Sequence, residues 1–203
     1  MLEQEHAVIT EITWMNSDYQ RIVFAEDMEN LTPGFVVENQ SWVPDVLIEG
    51  CTFRNNRARG LLLTSAGTSS SGTSTFETPG AAILIEGDSN YWFESGATRH
   101  IVIEGNRFHQ CAYVSAWGKA PIQVSPSALV WEKDRRYHQY LEVRGNVFQC
   151  CDDRLVNAVN LKKLVFLDNK IERTTVFEPI KGQALELDGV LEVETDINKE
   201  QQI

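Results

Sequence analysis

The sequence predicts an all-β protein, a right-handed parallel β-helix with long loops from its middle rungs. Three observations predict this fold. A short strand pattern recurs along the chain, an asparagine recurs at a fixed place after it, and a second short strand follows each time. Such a unit cannot bury its own inner face, so consecutive units have to stack as the rungs of a solenoid.

The first strand of a rung ends in a turn with a constant chemistry. Each strand contains two apolar residues that alternate with other residues. After it comes Gly or Asp, then Asn or Cys, and soon afterwards a large apolar residue. Alternation predicts a strand, and Gly or Asp beside Asn predicts a turn, because these residues tolerate positive φ. The segments are VLIEGCTF (46–53), IVIEGNRF (101–108), LEVRGNVF (141–148) and LVFLDNKI (164–171).

The large apolar residue after each turn serves as the anchor of its rung. The anchors are Phe53, Phe76, Phe108, Phe148 and Ile171, spaced by 23, 32, 40 and 23 residues. A second strand follows, in LLLTS (61–65), AAILIEG (81–87), PIQVS (121–125) and RLVNAV (154–159). The turn asparagines Asn106, Asn146 and Asn169 are expected to stack and to bond their amides along the axis. A leucine-rich repeat would need the pattern L-x-x-L-x-L, which is absent, and a β-sandwich would not fix the offset between asparagine and anchor.

The unequal spacing places extra residues at particular points of the rungs. Relative to the shortest rung, the one from Phe76 to Phe108 carries 9 extra residues and the next one carries 17. They fall after the second strand, in DSNYWFESGATRH (88–100) and PSALVWEKDRRYHQY (126–140), with the remainder in QCAYVSAWGK (110–119). Rungs stack about 4.8 Å apart, so insertions at the same rung position rise side by side.

The two insertions are expected to form one wall, and loops on a rigid scaffold are where binding usually occurs. Gly87 and Gly96 are its expected points of entry and exit. Aromatic rings stack on the apolar face of a pyranose while acids and amides bond its hydroxyls. The alternative is a loop that buries Trp92 and Phe93 over the barrel for packing alone. The wall contains Asp88, Tyr91, Trp92, Glu94, Trp131, Asp134, Arg135, Arg136, Tyr137 and His138.

Two further segments have open interpretations. Arg54, Arg57 and Arg59 lie in a turn, where they either contact sugar hydroxyls or carboxylates or pair with Glu86 or Glu94 of the next rungs. The serine run TSAGTSSSGTST (64–75) occupies the place of a first strand but has poor β-propensity. The rung is therefore either thin at this point or mobile.

Composition excludes several partners. The formal net charge of -11 argues against a nucleic-acid or anionic-membrane surface, which needs clustered Lys and Arg. The apolar runs are far shorter than the roughly 20 residues of a membrane helix, and the start MLEQEHAVIT does not have the pattern of a signal peptide. Scattered histidines and acids indicate no metal site, and no cofactor is expected. Four cysteines without a C-x-x-C pair favour buried thiols over a disulfide or a metal site.

The ends of the chain are expected to close the solenoid. Residues 1–42 are expected to form strands that cover the first rung, residues 43–193 the parallel β-helix, and residues 194–203 a frayed tail. The last strand is expected over 184–193. An open end would expose apolar columns, so a fragment would need the N-terminal segment or self-association, and hence an oligomer, to cover it.

The chain resembles the bacterial exo-α-1,3-galactosidases that act on blood-group-B-type glycans. The residues that carry this resemblance are VVENQSWVPDVLIEGCTFRNNRARGLLL, GAAILIEGDSNYWFESG and IVIEGNRFHQCAY. The resemblance implies an inverting glycoside hydrolase on a pectin-lyase-like β-helix, a carbohydrate partner with terminal galactose, and an extracellular or periplasmic location. It covers about Val36 to Ile171, and only the later part of the longer family enzymes.

The family's adjacent aspartates with a following Asn-x-His element are not found before Val36. Asp152 and Asp153 have no such histidine after them and are interpreted as turn acids. Asp88 and Glu94 are the only pair of acids within the matching motif and are the candidate catalytic acids, since an inverting enzyme needs a general acid and a general base. An equal alternative is that they orient the substrate beside a catalytic pair that is missing. The alternative is a non-catalytic carbohydrate-binding or structural β-helix. The candidate substrate-binding residues are Arg57, Arg59, Asn90, Tyr91, Trp92, Trp131 and His138.

Overall fold

The computed structural model describes residues 7–29, 31, 33, 36–88, 96–127 and 135–197. The chain divides into two compact units, Met1–Val37 and Glu38–Ile203. The first unit contains a hairpin in which β1 (Ile9–Trp14) pairs antiparallel with β2 (Gln20–Phe24). The expectation that the strands of residues 1–42 cover the first rung stays a prediction.

The described residues of the second unit form three parallel sheets and one 3-10 turn, Gln40–Trp42. Sheet 1 contains β3 (Val46–Glu49), β6 (Thr68–Gly72), β9 (His100–Glu104), β12 (His138–Arg144), β15 (Leu161–Leu167) and β18 (Glu192–Thr195). Sheet 2 contains β4 (Thr52–Arg54), β7 (Thr75–Glu77), β10 (Arg107–His109), β13 (Val147–Cys150) and β16 (Lys170–Arg173). Sheet 3 contains β5 (Arg59–Leu63), β8 (Ala81–Ile85), β11 (Ile122–Val124), β14 (Val156–Val159) and β17 (Leu185–Asp188).

The order of the strands is that of a coil. The chain visits sheets 1, 2 and 3 in turn through five rungs, and each strand pairs in parallel with the strand one rung away. The all-β, parallel character expected from the repeat is confirmed, and the topology is consistent with a β-solenoid.

The anchor residues form one column inside the coil. Phe53 pairs with Phe76, Phe76 with Phe108, Phe108 with Phe148, and Phe148 with Ile171. The rings stack, with centroids 5.0, 5.3 and 4.7 Å apart along the four phenylalanines. The alignment of anchors across spacings of 23 to 40 residues is confirmed in full.

The turns between sheets 1 and 2 form the expected ladder. The backbone N–H of Asn106 donates to Asn146 Oδ1 at 2.8 Å, and that of Asn146 donates to Asn169 Oδ1 at 3.0 Å. Ser74 extends the ladder by one rung, since its N–H donates to Asn106 Oδ1 at 3.0 Å. The residue before each ladder position has positive φ, as at Gly105 (65°) and Gly145 (60°), which explains the recurrent glycine.

Part of the serine run forms β6 of sheet 1. Of the two interpretations, a mobile segment or a thin rung with small inward side chains, the structure favours the thin rung. In β6, Ser69 and Ser71 pair with Ile101 and Ile103 of β9 and are each 1% exposed. Small hydroxyls thus occupy inward positions that hold isoleucine one rung later. Parallel partners on both sides bind the backbone of this strand, and that tertiary pairing overrides its poor propensity.

Two expectations need correction. The single strand expected over 184–193 is two strands, β17 and β18, because the chain turns at Gly189, where φ is 64°. All four cysteines are free, and three are buried as expected, but Cys51 is exposed. No helix among the described residues is long and apolar enough to span a membrane.

Insertions avoid one of the three corners of the coil. The corner between sheets 1 and 2 is a two-residue turn in every rung, at 50–51, 73–74, 105–106, 145–146 and 168–169. Long connections lie at the other two corners. Residues 110–121 and 174–184 connect sheet 2 to sheet 3, and residues 86–99 and 125–137 connect sheet 3 to sheet 1. Sheet 3 therefore has long loops at both ends of its strands.

Replacing Asn146 with Ala should lower the free energy of unfolding by about 3 kcal/mol. The side chain donates to Ile103 O and Asn169 Oδ1, both at 2.9 Å, and its removal leaves the buried Asn106 N–H without an acceptor. Urea denaturation followed by circular dichroism measures the change. The exposed Asn56→Ala is the matched control, and an equal, small loss in both variants would contradict a stabilising ladder.

Candidate functional site

The two predicted insertions leave the coil at the same corner, between sheets 3 and 1. We call residues 86–99, between β8 and β9, the first long loop, and residues 125–137, between β11 and β12, the second long loop. Their bases are joined directly, since Ser127 N donates to Gly87 O at 2.9 Å and Gln139 N to Thr98 O at 3.1 Å. The expected adjacency is confirmed for the described parts of both loops.

Several candidate residues lie outside the described part of the chain. Their relative positions, including the neighbourhood of the two tryptophans, stay predictions. These residues are Asn90, Tyr91, Trp92, Glu94 and Trp131.

Gly87 and Gly96 bring the two ends of the first long loop together. A Cβ at Gly87 would lie 2.4 Å from Tyr137 Oη and 2.8 Å from Gly96 O, so only glycine fits this contact. The N–H of Gly96 donates to Glu38 Oε1 at 3.4 Å. Glu38 thus contributes a carboxylate to the base of this loop, and no pattern in the sequence pointed to it.

Asp88 follows immediately after this glycine contact and is 6% exposed. Its carboxylate is therefore held at the base of the loop, out of bulk water. Asp88, Glu38 and Glu86, which directly precedes Gly87, are carboxylates that the described residues place at this base.

His138 begins β12 and is fully buried. Its Nδ1 accepts a hydrogen bond from Thr98 N at 3.2 Å and lies 2.8 Å from Thr98 Oγ1. Because a backbone N–H can only donate, Nδ1 carries no proton and the neutral ring has its proton on Nε2. Burial lowers the pKa of His138 to about 3. In this structure the ring thus connects Thr98, near the end of the first long loop, to the residue that directly follows the second long loop.

Arg57 and Arg59 lie at the other end of sheet 3. Arg59 begins β5 and pairs with Ala81 at the start of β8, whereas Asp88 follows the end of β8. Four residues of strand separate Ala81 from Ile85, which is about 13 Å. The predicted arginines and the predicted acid thus lie at opposite ends of the sheet 3 strands.

The outer face of sheet 3 lies between these two groups. Gln123 alternates with the core residues Ile122 and Val124, so it points outward, and Leu84 and Asn157 occupy the same outward row. Leu84 and Asn157 are each only 8% exposed although they point away from the core. This strip is therefore covered at Leu84 and Asn157 and partly open at Gln123.

Other reactive groups are engaged in the fold. Asp152 Oδ1 accepts from Ile180 N at 2.7 Å, and Asp153 pairs with Arg173 at 3.2 Å, as expected for turn acids. Burial raises the pKa of Cys111 to about 11 and that of Cys150 to about 12, so both thiols stay protonated at neutral pH. Among the described residues no group of three or more His, Cys, Asp or Glu is arranged to hold a metal ion.

Alpha-1,3-galactosidases match most of this chain. The B enzyme of Bacteroides thetaiotaomicron is 34% identical over 148 residues, which is 72% of the chain and 24% of that enzyme. The chain is similar to alpha-1,3-galactosidases. Alpha-1,3-galactosidase A of Bacteroides fragilis is 35% identical over 72% of the chain, and that of Shewanella woodyi is 31% identical over 86% of it.

The resemblance inferred from the sequence is thus confirmed, and its extent is limited. The chain spans 24% of the B. fragilis enzyme and 29% of the S. woodyi enzyme, about a quarter of the length of the curated relatives that it matches. This coverage is consistent with a resemblance to only their later part. No protein-family model matches the chain.

Replacing Gly87 with Ala should destabilise the protein by about 2 kcal/mol, as other overpacking changes do. The added methyl group would overlap Tyr137 and Gly96 O, and the carbonyl cannot move without displacing the loop. Thermal unfolding measures the effect. Gly72→Ala is the control, because its Cβ would approach no atom closer than 3.4 Å, and an equal shift in both variants would contradict the tight contact.

Acid should destabilise the protein partly through His138. The unfolded chain binds a proton at this residue below its ordinary pKa of 6.5, whereas the folded chain does so only near pH 3. Stability is therefore lost as the pH falls from about 6.5 to 3, by about 3 kcal/mol between pH 7 and pH 4. Denaturant titrations at both pH values should show a correspondingly smaller loss in His138→Gln.

The exposed His100→Gln is the matched control for this experiment. If the free energy of unfolding fell equally in the wild type and in His138→Gln between pH 7 and pH 4, that result would contradict a neutral, buried His138.

Proposed function

We propose that this chain is a glycan-active part of a glycoside hydrolase that acts on terminal α-linked galactose. The observation that carries the proposal is the pairing of two long loops at one corner of the coil, with Asp88 and Glu38 at their base. The similarity of the chain to alpha-1,3-galactosidases supports galactose as the sugar. The rings of Tyr91, Trp92 and Trp131 are proposed to stack on it.

In this proposal the carboxylates act as an inverting pair. One carboxylic acid protonates the glycosidic oxygen and the other carboxylate activates water on the opposite face of the sugar. Asp88 is the proposed acid, because it directly follows the glycine contact that joins the two ends of the first long loop and is only 6% exposed. Glu38 and Glu94 are the candidates for the base.

We also infer that the coil is right-handed. Each rung is a crossover connection between parallel neighbours of the same sheet, and such connections are right-handed in nearly all known proteins. The resemblance to β-helix galactosidases points to the same hand.

A specific observation favours a second candidate, a carbohydrate-binding module without turnover. The adjacent aspartates of the chain, Asp152 and Asp153, contact Ile180 N and Arg173, which favours a structural role for both. The two long loops and the outer face of sheet 3 would then bind the sugar without cleaving it.

Replacing Asp88 with Asn should lower kcat/KM on p-nitrophenyl α-galactoside at least 100-fold, the effect typical of a lost general acid. Glu38→Gln tests the proposed partner in the same assay. The control is Asp168→Asn, an exposed aspartate with a φ of 57°, a conformation that asparagine also tolerates. Unchanged turnover in Asp88→Asn would rule out the proposed role of this residue.

Calorimetric titration with a B-type trisaccharide separates the two candidates. Binding with turnover supports the hydrolase, and binding without turnover supports the module. A wild-type chain that neither binds nor cleaves these ligands would exclude both.

A further inference from the structure

Asn160 alone forms the connection between sheets 3 and 1 in the fourth rung. It is the one residue between β14 and β15, whereas the first and second long loops occupy the same corner in the two preceding rungs. Its φ of 55° lies in the left-handed region, which asparagine tolerates better than most residues. The residue is only 6% exposed. No pattern in the sequence pointed to it, because the recurrent asparagines belong to the corner between sheets 1 and 2.

The end of the second long loop and the start of β12 are bonded to this asparagine. Tyr137 N donates to Asn160 Oδ1 at 2.8 Å, and His138 N donates to Asn160 O at 3.2 Å. Asn160 N donates in turn to Asp188 O, at the end of β17, at 2.9 Å. Asn160 therefore joins the residues that close the second long loop to the fifth rung of the coil.

Tyr137 and His138 pass this support on to the first long loop. The phenol ring of Tyr137 packs against Gly87, where a Cβ would lie 2.4 Å from the hydroxyl oxygen. His138 Nδ1 accepts a hydrogen bond from Thr98 N at 3.2 Å. The two residues bonded by the asparagine therefore contact the first long loop close to where it begins and close to where it ends.

Burial makes the bond between Tyr137 and the asparagine side chain specific. Tyr137 is 3% exposed, so bulk water does not offer its N–H a replacement acceptor. A buried N–H without an acceptor is unfavourable. The side chain of Asn160 therefore restricts Tyr137 to the place in which its N–H reaches Oδ1.

We propose that Asn160 is a positioning residue, whose side chain fixes the place of Asp88 at the corner between sheets 3 and 1. The inference rests on the proposed function, because it takes Asp88 as the group that acts on the substrate. Asn160 acts through Tyr137 and His138, which hold the two ends of the loop that contains Asp88. A displacement of about 1 Å at a reacting group lowers a rate strongly, so we expect this support to affect turnover more than sugar binding.

Amide hydrogen exchange followed by NMR tests the chain of contacts without any ligand. Asn160→Gly keeps the left-handed backbone, because glycine adopts positive φ freely, and removes only the side chain. The amides of Tyr137 and Thr98 should then exchange about tenfold faster, whereas those of β13 should keep their rates. Asn160→Asp keeps the Oδ1 acceptor and tolerates the same φ, so it should restore slow exchange.

The matched control is Asn55→Gly, which removes an exposed asparagine with a φ of 64° from the first rung. Unchanged exchange at Thr98 in Asn160→Gly would overturn the inference. Equal acceleration in β13 would assign Asn160 a general stabilising role and would overturn it as well, and so would fast exchange in Asn160→Asp.

The wild type gives a second measurement should Asn160→Gly not fold. The amides of Tyr137 and Thr98 should exchange through one common opening, with the same dependence on denaturant. Different dependences would show that the two amides open separately and would contradict a shared support.

Turnover of p-nitrophenyl α-galactoside distinguishes positioning from sugar binding. Asn160→Gly should lower kcat about tenfold and change KM by about twofold at most, and Asn160→Asp should recover kcat. An unchanged kcat, or a loss in KM alone, would overturn the positioning role. A wild-type chain without turnover would overturn only the hydrolase, and the exchange rates at Thr98 then decide whether Asn160 supports the corner.

Discussion

The register between parallel strands is the constraint on which the rest of the structure depends. Side chains alternate between core and solvent, so a slip of one residue in any rung would turn its anchor outward. The stacked rings of Phe53, Phe76, Phe108 and Phe148 oppose such a slip from inside the coil. The ladder through Asn146 opposes it at the turn, because each amide bonds the backbone of the previous rung. Apolar packing and hydrogen bonding thus specify the same alignment.

This constraint also explains which parts of the structure the sequence predicted. The anchor column and the ladder depend on local patterns repeated at a fixed offset, and both are visible without knowledge of contacts. The serine strand was ambiguous, because its stability comes from parallel neighbours on both sides rather than from its own residues. Gly189 divides the last expected strand at a positive φ that composition alone does not reveal.

The candidate site was predictable only where it follows from the coil. Insertions at one rung position have to be neighbours, and Ser127 and Gly87 confirm that they are. Contacts between distant residues carry no such signal: Thr98 and His138 are 40 positions apart, and Glu38 reaches Gly96 across 58. These contacts depend on side-chain directions at the corner, which repeat spacing does not determine.

The same ladder that fixes the register determines where a site can form. A ladder position must follow its strand by two residues, so the corner between sheets 1 and 2 cannot accept an insertion without breaking the chain of amides. Extra residues are therefore confined to the other two corners, and both of these border sheet 3. A coil stabilised in this way presents one face with loops at both ends of its strands.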